Sequence, residues 1–228
     1  MPLFKGKGSA ENPDNYRGIA LTSCAYKVLT SLSTKRPADR MEEELPPEQY
    51  GLLRHGSATD ALNSVIEYIK EKRPEMTYAV SIDYKKCFDP VPRNLLLRTL
   101  GEFRIHSNLR RLLANISQPN YIKVREGDHV VDREIRQNHG LTRGDLARPF
   151  LFVLYASKSA DIPGRTGAKL ALFADDLVIP AKDRQRLQSY IRRAIEWSDE
   201  YGVDINTEKA KVIRFSNGGS YATDDRRI

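Results

Sequence analysis

Apolar residues recur at three- and four-residue spacing through Ala25, Val28, Leu29 and Leu32. That period places side chains on one face of a helix, so residues 20–32 are predicted helical. A second stripe, Ala61, Leu62, Val65, Ile66 and Ile69, follows Ser57 and Thr59, either of which can cap it, and Pro74 lies beyond its end. The pattern then changes to a short β-prone run from Tyr78 to Ile82, before helical spacing returns in Arg93 to Leu100 and Asn108 to Ile116. Tyr121 to Val124 and Val130 to Ile135, separated by Glu126-Gly127-Asp128, read as a hairpin. The run Pro149 to Ala156 is apolar almost throughout and predicts a buried helix, and Lys169 to Phe173 and Leu177 to Ile179 predict two strands about the turn Ala174-Asp175-Asp176. Arg184 to Tyr201 carries Leu187, Tyr190, Ile191, Ala194, Ile195 and Ser198 on one stripe, the mark of an amphipathic helix, and Lys211 to Phe215 reads as a last strand. The opening segment to Asn15 is expected to be extended loop, and the tail from Ser216 to be frayed. Strands mixed with helices but joined by hairpins predict an α+β fold, an antiparallel sheet with helices packed on one face.

Composition narrows the classes of function. Hydrophobic residues make up 40% of 228, enough for a real core and against intrinsic disorder. Two cysteines, Cys24 and Cys87, support no secreted disulfide framework, and four scattered histidines without metal-ligand spacing argue against zinc. No apolar run approaches the roughly 20 residues of a membrane span, and the N-terminus lacks the apolar centre of a signal peptide. An intracellular location, nuclear or cytoplasmic, is expected, with no membrane partner. The balance of 37 Lys+Arg against 30 Asp+Glu favours a polyanionic partner.

Two acidic positions stand out because each sits where a strand ends. Asp83 follows Val80 to Ile82, and Asp175-Asp176 occupies a turn between two apolar strands. Asp-Asp is also ordinary turn chemistry, and Asp83 alone could cap a helix. If the strands are neighbours in one sheet, three carboxylates converge at one edge, an arrangement that repels itself unless a hard cation neutralises it.

The surrounding residues resemble the reverse transcriptase domain of non-LTR retrotransposons, in collinear order from Pro2 to about Phe215. Asn15-Tyr16-Arg17-Gly18-Ile19-Ala20-Leu21 with Ala25-Tyr26-Lys27-Val28-Leu29 is similar to the family's first block, and Glu48-Gln49-Tyr50-Gly51 with Ser57-Ala58-Thr59-Asp60-Ala61 to its second. The stretch from Asp83 to Pro92 resembles motif A, with Cys87 where alanine is more usual. Phe173-Ala174-Asp175-Asp176 resembles motif C, and Gly202 to Lys209 motif D. Gly140 to Pro149 aligns with motif B but departs from it, since Arg143, Leu146, Ala147 and Arg148 replace the usual glutamine, proline, leucine and serine. Leu53 and Gly56 stand where arginine is usual.

The resemblance implies a right-hand polymerase: fingers over residues 1–77 and a palm over 78–216 with some fingers-contributed strands near 121–135, followed by a disordered tail at 217–228. It implies RNA-directed DNA polymerase activity, with an RNA template, a DNA primer and deoxynucleoside triphosphates as partners. Two Mg²⁺ ions, replaceable by Mn²⁺, would be held by Asp83, Asp175 and Asp176. Phe88 matches the gate against a ribose 2′-hydroxyl, with plain core packing as its alternative role. Arg17 matches a fingers arginine on the triphosphate. Gly144 lets backbone approach the nucleotide, and Arg143 and Arg148 would sit near template and triphosphate. Lys209 matches a lysine that protonates pyrophosphate, a surface charge being the alternative. The family continues with a primer grip and thumb, so the chain is expected to be cut off before them. Two rivals remain: a catalytically decayed or domesticated nucleic-acid-binding fragment, and a metal-dependent phosphohydrolase using the same carboxylates.

Overall fold

The computed structural model describes residues 1–51, 53, 56–72, 77–116, 120–141, 144–164, 169–215 and 221–224. At its centre β3 (Thr77–Ile82) carries the β-prone run seen in the sequence, and it is almost wholly buried because strands flank it on both sides. It pairs antiparallel with β9 (Asp176–Ala181) and with β10 (Lys211–Phe215), while β8 (Ala171–Phe173) adds to β9 and β11 (Tyr221–Asp224) to β10. The five-stranded order is β11-β10-β3-β9-β8. The end of the chain, expected to be frayed, instead contributes a strand at 221–224, since β10 would otherwise present an unpaired edge of backbone donors and acceptors.

Side chains alternate across the sheet, so Val80, Ile82, Leu177 and Ile179 share one face. That face is covered by α3 (Arg93–Glu102), α5 (Arg148–Ala156) and α6 (Arg184–Tyr201), which supply Leu96, Leu100, Leu151, Leu154, Leu187, Tyr190 and Ala194 to one continuous core. The α5 sequence is apolar all round, and its residues from Leu151 to Ala156 are all buried. Local signals bound α6 at both ends. Asp183 accepts the Arg186 amide at 2.7 Å, and Gly202 ends the helix in the left-handed region at φ 62°. The expectation of helices on one face describes α3, α5 and α6. By contrast α2 (Ala58–Glu71), capped by Ser57, sets Ala61, Val65, Tyr68 and Ile69 against Ala171, Val178 and Phe215, which alternate to the other face.

The helix predicted at 20–32 exists as α1 (Cys24–Met41), but with a different inner face. Val28 and Leu32 are about 60% exposed, whereas Thr30, Ser33 and Thr34 are buried. Their hydroxyls make this possible: Ser33 donates to the Leu29 carbonyl at 2.6 Å and Thr34 to that of Thr30 at 2.9 Å, so these hydroxyls are buried with partners. The opening segment, expected as loop, forms β1 (Pro2–Phe4) paired with β2 (Tyr16–Gly18). The predicted hairpin is present as two short ladders, β4 (Asn120–Ile122) with β7 (Ile135–Gln137) and β5 (Arg125–Glu126) with β6 (His129–Val130). Helix α4 (Ser107–Ile116) completes the set, and no helix among the described residues is long and apolar enough to cross a membrane.

Candidate active site

The strand register sets two of the three carboxylates side by side. Ile82 pairs with Leu177 and Phe173 with Asp176, so continuing the β3–β9 register by one residue sets Asp83 beside Asp176, on one face and at one end of the sheet. Between β8 and β9 the chain reverses through Ala174 and Asp175. Ala174 holds φ 58°, a left-handed conformation that such a tight hairpin demands and that a non-glycine residue adopts at a cost of about 1–2 kcal/mol.

This turn is buttressed from outside the sheet. Residues 48–50 run along the free edge of β8, with the Tyr50 amide donating to the Leu172 carbonyl and the Leu172 amide to that of Glu48, both at 2.8 Å. Gly51 then lies so close to the turn that a Cβ there would stand 2.1 Å from the Ala174 nitrogen and 2.8 Å from the Phe173 carbonyl carbon. The sequence singled out this block by resemblance but assigned Gly51 no role; its contact is with a turn far away in the chain, which leaves no local mark.

Two of the three carboxylates, Asp83 and Asp175, have side-chain partners. Asp83 Oδ2 accepts from Asn206 Nδ2 at 3.0 Å and lies 3.0 Å from Lys209 Nζ. Backbone bonds from the Asn206 amide to the Asp83 carbonyl and from the Lys85 amide to that of Asp204 fasten the Gly202–Lys209 segment alongside. Asp175 Oδ2 accepts from Cys87 Sγ at 3.3 Å. Burial, then the charge of Asp175 and this hydrogen bond, push the Cys87 thiol well above its ordinary range, so it stays a protonated donor. Partial burial and then the charges of Asp175 and Asp83 raise the Asp176 carboxyl, against an opposing pull from Lys209. Lys209 is raised in turn, first by its hydrogen bond to Asp83 and then by that group's charge. Neither Asn206 nor Cys87 was given a role from sequence, although Cys87 was visible as a departure from alanine.

Among the described residues no three His, Cys, Asp or Glu side chains are grouped closely enough to hold an ion as they stand. The donor set nevertheless suits a hard divalent cation, being all carboxylate oxygen, and the raised Asp176 registers the mutual repulsion that a cation would relieve. Lys209 is the cation now paired with Asp83. Lys209→Met is therefore expected to tighten Mg²⁺ binding, by up to about five-fold if an exposed pair of this kind is worth up to about 1 kcal/mol. Calorimetry checks this, and unchanged or weaker binding would show that the lysine does not compete with metal.

The remaining predicted residues are distributed around this centre. Phe88 is half-buried, its ring centroid 4.2 Å from that of Phe152 and 3.8 Å from the Arg148 guanidinium carbon. The Gly140 amide donates to the Val91 carbonyl and the Leu141 amide to that of Phe88, which clamps the segment before Gly144 against the Phe88 loop. Gly140, at φ 82°, leaves room for the Asp89 carbonyl, which a Cβ would meet at 2.4 Å. Gly144 has φ 97° and faces the Ala20 carbonyl, 2.5 Å from where its Cβ would be. Arg17 is exposed on β2, and the residues after it, Gly18 to Leu21, line a groove of about 640 Å³ together with Asp89 and Tyr121. Lys86 pairs with Asp14 at 2.7 Å and links that N-terminal segment to the Asp83 loop. Arg143 lies outside the described residues.

Residues 5–222 match the protein family described as reverse transcriptase (RNA-dependent DNA polymerase). The chain belongs to this reverse transcriptase family. It is 26% identical over 231 residues to the Retrovirus-related Pol polyprotein from type-1 retrotransposable element R2 of Popillia japonica, covering 95% of the chain and 32% of that protein. It is 24% identical over 226 residues to the RNA-directed DNA polymerase from mobile element jockey of Drosophila melanogaster, covering 90% of the chain and 24% of that protein. The chain thus spans a third or less of the length of these relatives. Its fold is similar to that of apo telomerase from Candida tropicalis truncated from its C-terminal domain, with a TM-score of 0.62 at 16% identity over 86% of this chain and 42% of the other. A second telomerase structure from that organism, in complex with a fragment of telomeric RNA, gives 0.64 at 14% identity over 86% of this chain and 34% of the other.

Proposed function

We propose that the chain carries the polymerising centre of a retrotransposon reverse transcriptase, joining a deoxynucleotide to a primer 3′-hydroxyl under the direction of an RNA template. The observation that supports this reading is the register that brings Asp83 beside Asp176, with Asp175 in the adjoining turn, at one end of the sheet. Asp83, Asp175 and Asp176 would hold Mg²⁺, two ions in all or Mn²⁺ in their place, which when bound would activate the attacking hydroxyl and neutralise charge on the phosphates. The chain's own groups then divide the remaining work. Asn206 and Cys87 keep the Asp83 and Asp175 carboxylates oriented by hydrogen bonds, with Cys87 donating a proton it does not lose. Lys209, held protonated beside Asp83, is suited to give a proton to the departing pyrophosphate. Phe88 stands as the gate against the 2′-hydroxyl, Arg17 and Arg143 as cations for triphosphate and template, and Gly144 as the point of close backbone approach. Fingers at 1–77 and palm at 78–216 are the corresponding division of the chain.

The test is a primer-extension assay with the 228-residue chain, Mg²⁺, an RNA template and a DNA primer, run beside a binding titration at several salt concentrations. Binding that weakens as salt rises, together with template-directed addition of one nucleotide, is the expected result. Binding without addition would replace this reading with that of a decayed or domesticated nucleic-acid-binding fragment, and phosphate release without primer would point to a phosphohydrolase.

A further inference from the structure

Arg148 and Phe152 stand four residues apart on α5, on the same face of that helix, and both meet the ring of Phe88. The guanidinium carbon lies 3.8 Å from the ring centroid and the Phe152 centroid 4.2 Å from it, so both contacts are centred on the ring rather than its rim. Phe88 is only half-buried and belongs to a loop, and a phenyl group so placed would ordinarily exchange between rotamers. Here one element of secondary structure supplies a cation and a second ring that hold it. The loop itself is clamped from the other side by the bonds from Gly140 and Leu141 to Val91 and Phe88.

We propose that Arg148 is a specificity-determining positioning residue, which locks the Phe88 ring in a single orientation and so sharpens discrimination against ribonucleotides. The inference rests on the reading of Phe88 as the gate at the sugar. A planar guanidinium attracts the face of an aromatic ring electrostatically, and that attraction is lost when a short hydroxyl side chain takes its place. A ring no longer held can swing aside and admit a 2′-hydroxyl. The substitution seen in the sequence as a departure from serine therefore tightens selection, in contrast to the expectation that an added arginine there would lie against template and triphosphate.

The experiment compares equilibrium binding of dGTP and GTP, in Mg²⁺, to the chain bound to a primer–template whose primer ends in a dideoxynucleotide opposite a templating cytosine. Arg148→Ser is expected to reduce the preference for dGTP about three- to thirty-fold, the range of a cation–ring contact, through tighter GTP binding with dGTP binding little changed. Arg148→Lys, which retains charge but not the planar stack, should recover part of the preference. In a Phe88→Ala background, where the preference is already lost, adding Arg148→Ser should change nothing further. Equal weakening of dGTP and GTP by Arg148→Ser would overturn the inference and make Arg148 a triphosphate contact, and so would an additive double mutant. If Arg148→Ser does not fold, Arg148→Lys decides by the same ratio. Failure of the polymerase reading looks different: the unsubstituted chain would bind neither nucleotide in a Mg²⁺-dependent way, or Phe88→Ala would leave the preference intact.

Discussion

Asp83→Asn is expected to lower single-nucleotide incorporation at least about 10³-fold, because removing a carboxylate proposed to hold metal would forfeit several kcal/mol of transition-state stabilisation at roughly 1.4 kcal/mol per tenfold. Asp175→Asn should fall comparably, and both should weaken Mg²⁺ binding by calorimetry. An Asp83→Asn chain that incorporates at the unsubstituted rate would remove the carboxylate centre from the mechanism. Asp176 adds a pH signature. Its carboxyl is raised by partial burial and by Asp175 and Asp83, so the folded chain holds that proton more tightly than the unfolded chain does. The fold therefore loses stability as pH rises from the ordinary carboxylate value through the raised one, and the loss persists at neutral pH. Asp176→Asn should accordingly raise the metal-free melting temperature at neutral pH but not below the ordinary carboxylate range. Mg²⁺ should stabilise the unsubstituted chain only on the alkaline side of that window. A melting difference independent of pH would show that the three carboxylates do not repel one another as described.

The second large effect is expected at Gly51, which carries no titratable group of its own. A Cβ on this residue would meet backbone atoms of the Asp175 turn, at 2.1 Å from the Ala174 nitrogen and 2.8 Å from the Phe173 carbonyl carbon, and backbone cannot swing aside as a side chain can. Ala174 is already held in the left-handed region, so the turn has little freedom to yield. Gly51→Ala should therefore destabilise the fold by about 1–3 kcal/mol, the usual cost of overpacking. It should also reduce incorporation about 10²-fold, since a displacement near 1 Å at reacting groups costs that much. Gly101→Ala is the control, because a Cβ there has only Arg110 Nη1 at 3.9 Å and α3 gains from alanine. Thermal melts and single-turnover incorporation check both variants. If Gly51→Ala melts and incorporates like the unsubstituted chain, the 48–51 segment is not what holds the turn.

Much of this architecture was legible before any coordinates, because its signals are local. Ser57 caps a helix that begins where the period predicts, α6 spans the predicted 184–201, and the apolar run at 149–156 lies in a buried helix. The Asp83 and Asp175–Asp176 positions were legible for the same reason, each lying between a strand and a turn. Trp197, missing from the predicted α6 stripe, shows the limit of periodicity even here: it is buried, stacked on Tyr201 at 4.7 Å and close to Tyr84.

What only the tertiary structure decided are relations between segments distant in the chain. Periodicity says that α1 has an apolar stripe, but its inner face is lined by hydroxyls that satisfy themselves on the helix carbonyls, while Val28 and Leu32 stay outside. The edge that β11 covers, the thiol that reaches Asp175, the amide and ammonium on Asp83, and the guanidinium over Phe88 each depend on which elements become neighbours. By itself the sequence determined most of the elements and the residue types able to hold metal, because backbone propensity and side-chain period act over a few residues. Packing determined the partners of those residues, because a hydrogen bond or a ring contact depends on distance in space and leaves no trace in spacing along the chain.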